Sequence, residues 1–182
     1  MFEGIGAKLF SSVVSLSLLL FSSFQGNDPS FTSVTVQKTG SYVYLSGSLH
    51  SAFENDFPSI FSSGAQIPVH FALSVRQGSK TLAQRRFTHS VSFDTVTGTY
   101  EVYKSGGAQS FQSDKVEEII AEVARFRFGI PYQPSWGEVN IRIEASLPKV
   151  NFRELNKEVD LMVLWKHQKP STKVVVDLRK AQ

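Results

Sequence analysis

The sequence predicts a mainly β protein: an antiparallel β-sandwich or strongly curved sheet, immunoglobulin-like in style, with two short helices. Three observations carry the prediction. Beyond Asn27-Asp28-Pro29, apolar and polar residues alternate in most segments, the period of a strand with one buried face. Turn-forming residues break those segments into neighbouring hairpins, which favour antiparallel sheets. Apolar residues recur at helical spacing in just two stretches. The chain has 182 residues, 41% of them hydrophobic and fifteen of them phenylalanine, enough for one apolar core without metals or bridges.

The elements follow in order. Segments 33–38 (SVTVQK) and 42–49 (YVYLSGSL) alternate around Thr39-Gly40-Ser41, a first hairpin with Val43, Leu45 and Leu49 on one face and Tyr42, Tyr44 and Ser46 on the other. In FENDFPSIFSSG, Phe53, Phe57, Ile60 and Phe61 recur at helical spacing, Asn55 or Asp56 offers a cap, and Gly64 suits a left-handed stop. IPVHFALSV (67–75) is a strand with Ile67, Val69, Phe71, Leu73 and Val75 aligned. Its partner, LAQRRFTHSVSFD, meets it apolar to apolar only if Val75 opposes Thr81 or Ala83, which puts His89 on the apolar face and His70 on the other.

HSVSFDTVTGTYEVYK is then a hairpin: a four-residue loop, Thr95 to Gly98, sets Phe93 against Tyr100 and Val91 against Val102. His89 and Asp94 lie five positions apart on one strand, so their side chains diverge. In SDKVEEIIAEVARFRFG, Asp114 and Glu117 form a capping-box pattern and Val116, Ile119, Ile120 and Val123 a buried stripe, which predicts a helix ending at Gly129. EVNIRIEASLP alternates cleanly, and the sequence pairs VDLMVLWKH with TKVVVDL, Trp165 against Val174. The sum is about eight strands in hairpin order.

Residues 1–26 read as a signal peptide or an uncleaved N-terminal membrane anchor, and 27–182 as a single β-rich domain. Segment 9–24 carries no charge over sixteen residues, six of them serine. That suits a secretory core better than a span, which needs about 20 apolar residues.

Chemistry is sparse. The absence of cysteine excludes disulfides, thiolate metal sites and thiol nucleophiles. The formal charge of +3 is scattered, its densest cluster being Arg85-Arg86, so nucleic acid is not an expected partner. His50, His70, His89 and His167 lack ligand spacing, and no metal or other cofactor is expected. No Gly-x-Ser-x-Gly elbow or phosphate-cradling glycine loop occurs. Glu138 and Glu144 share a strand face about 20 Å apart, too far to flank a glycosidic bond. No catalytic residue is assigned. The candidate binding residues are aromatic: Tyr42 and Tyr44 on one strand face, Tyr132 and Trp136 in a proline-containing loop, flat surfaces suited to a glycan or a peptide.

The ordered pieces LSGSL, AFENDF, IFSSGAQIPVHFAL and RRFTHSVSFDTVTGTYEV, continuing to Leu147-Pro148, resemble the bacterial exported domain-of-unknown-function family 4390. The resemblance spans Ser33 to Leu147. The family's tryptophans and arginines after the first long strand are replaced here by LSVRQGSKTLAQRR. What it implies is a periplasmic location or one at the outer face of the cytoplasmic membrane, and a membrane sensor kinase as partner. The expectation is a non-catalytic binding module of the cell envelope. Its competitors are a hydrolase or lyase acting on an envelope polymer, and a subunit that adds an edge strand to another sheet.

Overall fold

A computed structural model describes residues 26–105, 110–152 and 156–180. Strands β1 (Ser30–Thr39) and β2 (Tyr42–His50) precede helix α1 (Phe57–Phe61). Then come β3 (Ile67–Gln77), β4 (Lys80–Asp94), β5 (Thr99–Lys104) and β6 (Phe111–Ser113). Helix α2 (Val116–Ala124) runs directly into β7 (Arg125–Pro131), followed by β8 (Glu138–Ser146), β9 (Lys149–Phe152) and β10 (Lys157–Asp160). A 3-10 segment (Leu161–Trp165) and β11 (Ser171–Asp177) complete the chain. The apolar segment read as an export signal or anchor lies outside the described residues, and no described helix is long and apolar enough to cross a membrane.

The strands form two main antiparallel sheets, β1-β2-β7 and β11-β8-β3-β4-β5-β6, plus the small β9-β10 pair. The fold is mainly β and sandwich-like, with two helices among the described residues and one sheet curled toward a half-barrel. The alternating residues expected to share a face do so: Val43, Leu45 and Leu49 are buried on β2, and Ile67, Val69, Phe71, Leu73 and Val75 on β3. Val75 pairs with Ala83, Phe71 with Phe87 and Val69 with His89, the register that parity demanded. The Thr95–Gly98 loop sets Phe93 opposite Tyr100 and Val91 opposite Val102. There Asp94 Oδ1 accepts the Val96 and Thr97 N–H groups at 2.8 and 3.3 Å, and Gly98 takes a φ of +71°.

The two sheets meet in an aromatic stack. Phe128 of β7 lies 4.1 Å from Phe87 of β4, ring on ring, and also touches Phe71, His89 and Phe126. Phe126 covers Gly47 so closely that a Cβ there would stand 2.8 Å from its ring, which explains the gap in the apolar face of β2.

Three expectations are corrected. The helix stops at Ala124, and RFRFGIP is strand β7, paired with β2 from Tyr42↔Pro131 to Ser48↔Arg125. Phe126, Phe128 and Ile130 face the core on a period of two while Arg125 and Arg127 face out. The capping box does not form: Lys115 occupies the N-cap without a side-chain bond, and Ser113 Oγ accepts the Lys115 N–H instead. At the C-terminus, LMVLW winds into the 3-10 segment because Asp160 Oδ1 accepts the Met162 N–H at 3.0 Å. Trp165 therefore buries against Phe53, with its indole N–H on the Ala52 carbonyl at 2.7 Å, and Val174 of β11 pairs with Ile141 of β8. The order also departs from simple hairpins, since β7 returns to β2 and β8 to β3.

The first described residues are clamped onto that 3-10 segment. Asn27 is buried and donates both its backbone and side-chain N–H groups to the Leu164 carbonyl, at 2.8 and 3.2 Å. Asn55 Nδ2 reaches the Gly26 carbonyl and Asn27 Oδ1 at 3.0 and 3.1 Å, and Lys166 pairs with Asp28 at 2.7 Å.

Candidate functional site

A groove of about 650 Å³ runs along β7, lined on one side by its residues 125–129 and on the other by Phe87, His89, Lys104 and Ser105. Tyr42, Tyr44, Ser46 and Gly47 of β2 extend it. Two of the four sequence-predicted binding residues thus belong to it. Tyr42 and Tyr44 lie side by side on the outer face, ring centroids 6.1 Å apart. The Arg127 guanidinium sits 4.2 Å over the Tyr44 ring, a cation–π contact. Gly129 makes room for that ring, because a Cβ there would lie 2.9 Å from Tyr44 Cε1. The loop pair is placed differently. Trp136 is 5% exposed and packs edge-on to Tyr132, whose ring packs against the core and receives Lys38 Nζ at 5.6 Å. The structure does not bring these two residues into the groove.

The backbone of β7 is the residue-level feature that sequence reading missed. The Tyr132 N–H donates to the Ser41 carbonyl at 2.7 Å, and this pair continues the β2–β7 register. Opposed residues in an antiparallel ladder alternate between exchanging both backbone bonds and exchanging none. Ile130, Phe128 and Phe126 are therefore the bonding residues, and Pro131, Gly129, Arg127 and Arg125 turn their backbone groups away from β2. Arg125 is already satisfied: its N–H bonds to the Glu122 carbonyl and its C=O accepts Lys104 Nζ at 2.9 Å. Proline has no N–H. Among the described residues, that leaves the N–H and C=O of Arg127 and of Gly129 unpartnered and directed along the groove. Both β7 and β1 are edge strands of their sheet.

The charges around the groove are predominantly positive. Lys104 Nζ also pairs with the Glu122 carboxylate, which Arg125 approaches at 3.4 Å. One carboxylate thus serves two cations, while Arg127 rests on Tyr44. His89 sits beneath, with Nδ1 donating to the Val123 carbonyl at 2.9 Å; a carbonyl only accepts, so Nδ1 carries the proton. Burial pushes its pKa down to about 4; the Val123 bond opposes this, Lys104 adds to it and Glu122 opposes it. The ring is neutral at pH 7.

The other histidines do not join it. His70 faces out of the larger sheet, Nδ1 at 3.0 Å from Thr88 Oγ1, its pKa lowered by burial and by Arg86. Among the described residues no group of three or more His, Asp or Glu is arranged to hold a metal. A second depression of about 460 Å³ lies over Ala72 and Ser74 on the outer face of the larger sheet, walled by Arg86 and Arg142, the latter paired with Glu144 at 3.3 Å.

No family model matches the chain, and neither a curated protein nor a solved structure matches it.

Proposed function

We propose that this chain is an exported cell-envelope module that binds another envelope protein through the groove along β7, without catalysis, as an accessory to a signalling system whose membrane component is a sensor kinase. The observation that carries the reading is the groove itself, where unspent backbone groups, an aromatic pair and excess positive charge converge. The resemblance of Ser33–Leu147 to an exported family supports the location and the partner. Binding is favoured over turnover because the titratable groups at the groove are committed: Nδ1 of His89 to a carbonyl, Lys104 to Glu122.

A second reading, a hydrolase or lyase acting on an envelope polymer, draws on one observation. His89 lines the groove, and the Glu122 carboxylate of another element acts on its protonation. One experiment separates the two. A photo-reactive residue replaces Ser46 at the groove, or Val175 on the exposed outer face of β11, and cross-links are formed in intact cells. The binding reading expects one exported or membrane protein captured from position 46 and not from 175. Release of fragments from an envelope polymer, abolished by His89→Gln, with nothing captured at either position, overturns it.

A further inference from the structure

We infer that the open side of β7 takes up an extended, acidic segment of the partner protein as a fourth strand of the smaller sheet. This rests on the binding reading above and specifies what is bound. Strand addition needs backbone donors and acceptors on a free edge, at two-residue spacing, with room beside them. Arg127 and Gly129 supply two N–H and two C=O groups at that spacing, and the groove lies alongside. The ladder has fixed ends. Arg125 has spent its backbone groups on Glu122 and Lys104, and Pro131 has no N–H to give.

The side chains say which segment fits. A strand added to β7 presents alternate residues to the outer face, beside Arg127 and Gly129. The residue opposite Arg127 meets a guanidinium with no carboxylate within ion-pair reach among the described residues, and Lys104 and Arg125 stand nearby sharing Glu122. A carboxylate there is favoured by all three cations, whereas a lysine is opposed by them. Opposite Gly129 the added residue finds the Tyr44 ring, since the glycine has no side chain and the ring fills its place. The intervening inward residues point toward Phe87 and the neutral ring of His89 and are apolar. The pattern is acidic outward, apolar inward.

A second copy of this chain fits badly. Pairing two β7 edges about their shared axis would bring the arginines of both strands onto neighbouring positions, and like charges across a ladder are destabilising. The arginines that attract an acidic strand thus also deter self-association.

The test uses the purified full chain and two eight-residue peptides, one alternating glutamate with valine, the other lysine with valine. Binding is read by fluorescence anisotropy, and backbone amide exchange by NMR. The glutamate peptide is expected to bind at least tenfold more tightly than the lysine peptide. On saturation the Arg127 and Gly129 amide protons, alone in β7, gain protection. Arg127→Glu should reverse the preference while leaving the unliganded spectrum folded; Arg127→Pro, which removes one edge donor, should weaken the glutamate peptide at least fivefold. Equal binding of both peptides, protection elsewhere than on Arg127 and Gly129, or a β7-mediated dimer in sedimentation would each overturn strand addition. If position 46 still cross-links an envelope protein while neither peptide binds, strand addition falls and the binding module stands. If neither experiment gives a signal, both readings fall.

Discussion

His89 shows how one residue's surroundings set a property of the whole chain. The parity of β3 and β4 put it on the inward face, and there the structure finds it, 1% exposed and 4.8 Å from the Phe71 ring. Its pKa falls from 6.5 to about 4 on folding, so between those values the unfolded chain binds more protons than the folded one. Stability is therefore full above pH 6.5 and declines as pH drops through that window to about 4. The loss reaches on the order of 3 kcal/mol at about 1.4 kcal/mol per pH unit. Urea unfolding at pH 7.0 and 4.5 should show that decline, and His89→Gln, which keeps a donor for Val123 without titrating, should remove most of it. An identical decline in the variant would mean that other groups govern acid unfolding. The aromatic candidates divide by the same logic of faces. Tyr42 and Tyr44 were legible as a pair because they alternate with Val43 and Leu45, whereas nothing in the loop sequence distinguishes the buried Trp136 from an exposed one.

At the scale of the element, the passage from α2 into β7 marks where the sequence stops being decisive. The stripe Val116, Ile119, Ile120, Val123 continues to Phe126 at helical spacing, while Phe126, Phe128 and Ile130 equally fit a strand. Local pattern satisfies both templates over this stretch. Pairing with β2, more than seventy residues earlier, decides between them. A strand and a helix make opposite demands of Arg125 and Phe128, which would share a face at i,i+3 spacing in a helix but oppose each other in β7. Phe128→Ala should cost roughly 3–5 kcal/mol in denaturant midpoint experiments, as a large ring removed from a packed aromatic stack. Arg125→Ala should change stability by about 0.5 kcal/mol or less, as an exposed side chain. Comparable losses at both positions would contradict the alternation. The LMVLW segment failed for a related reason: a short, uniformly apolar run has no period, and the Asp160 bond that winds it is a local polar choice the hydrophobic pattern does not register.

Across the whole molecule, the mainly β class and the neighbouring hairpins β1–β2, β3–β4 and β4–β5 were readable because each is specified by a turn and two adjacent alternating segments. The joins between distant segments, β2 to β7, β3 to β8 and β8 to β11, were not, since nothing local encodes which edge a later strand will find. The groove inherits this illegibility, being bounded by residues from β2, β4, β5 and β7. Long-range joins also distribute the core along the chain, so a version ending at Asp160 loses Leu161, Leu164, Trp165 and β11 together. It should show no cooperative thermal transition and no dispersed amide spectrum. A sharp melt would mean that the last twenty-two residues are an appendage.

The clamp of Asn27 on Leu164 has a temporal side. A growing polypeptide meets the Asn55 part of that clamp early, but the Leu164 carbonyl follows Asn27 by 137 residues. Strand β7 precedes that carbonyl in the chain, so the opening strands can gain their sheet partner while their leading end still lacks its seat. The smaller sheet can thus assemble on an unfinished chain, whereas its leading end is seated only when the chain is nearly complete.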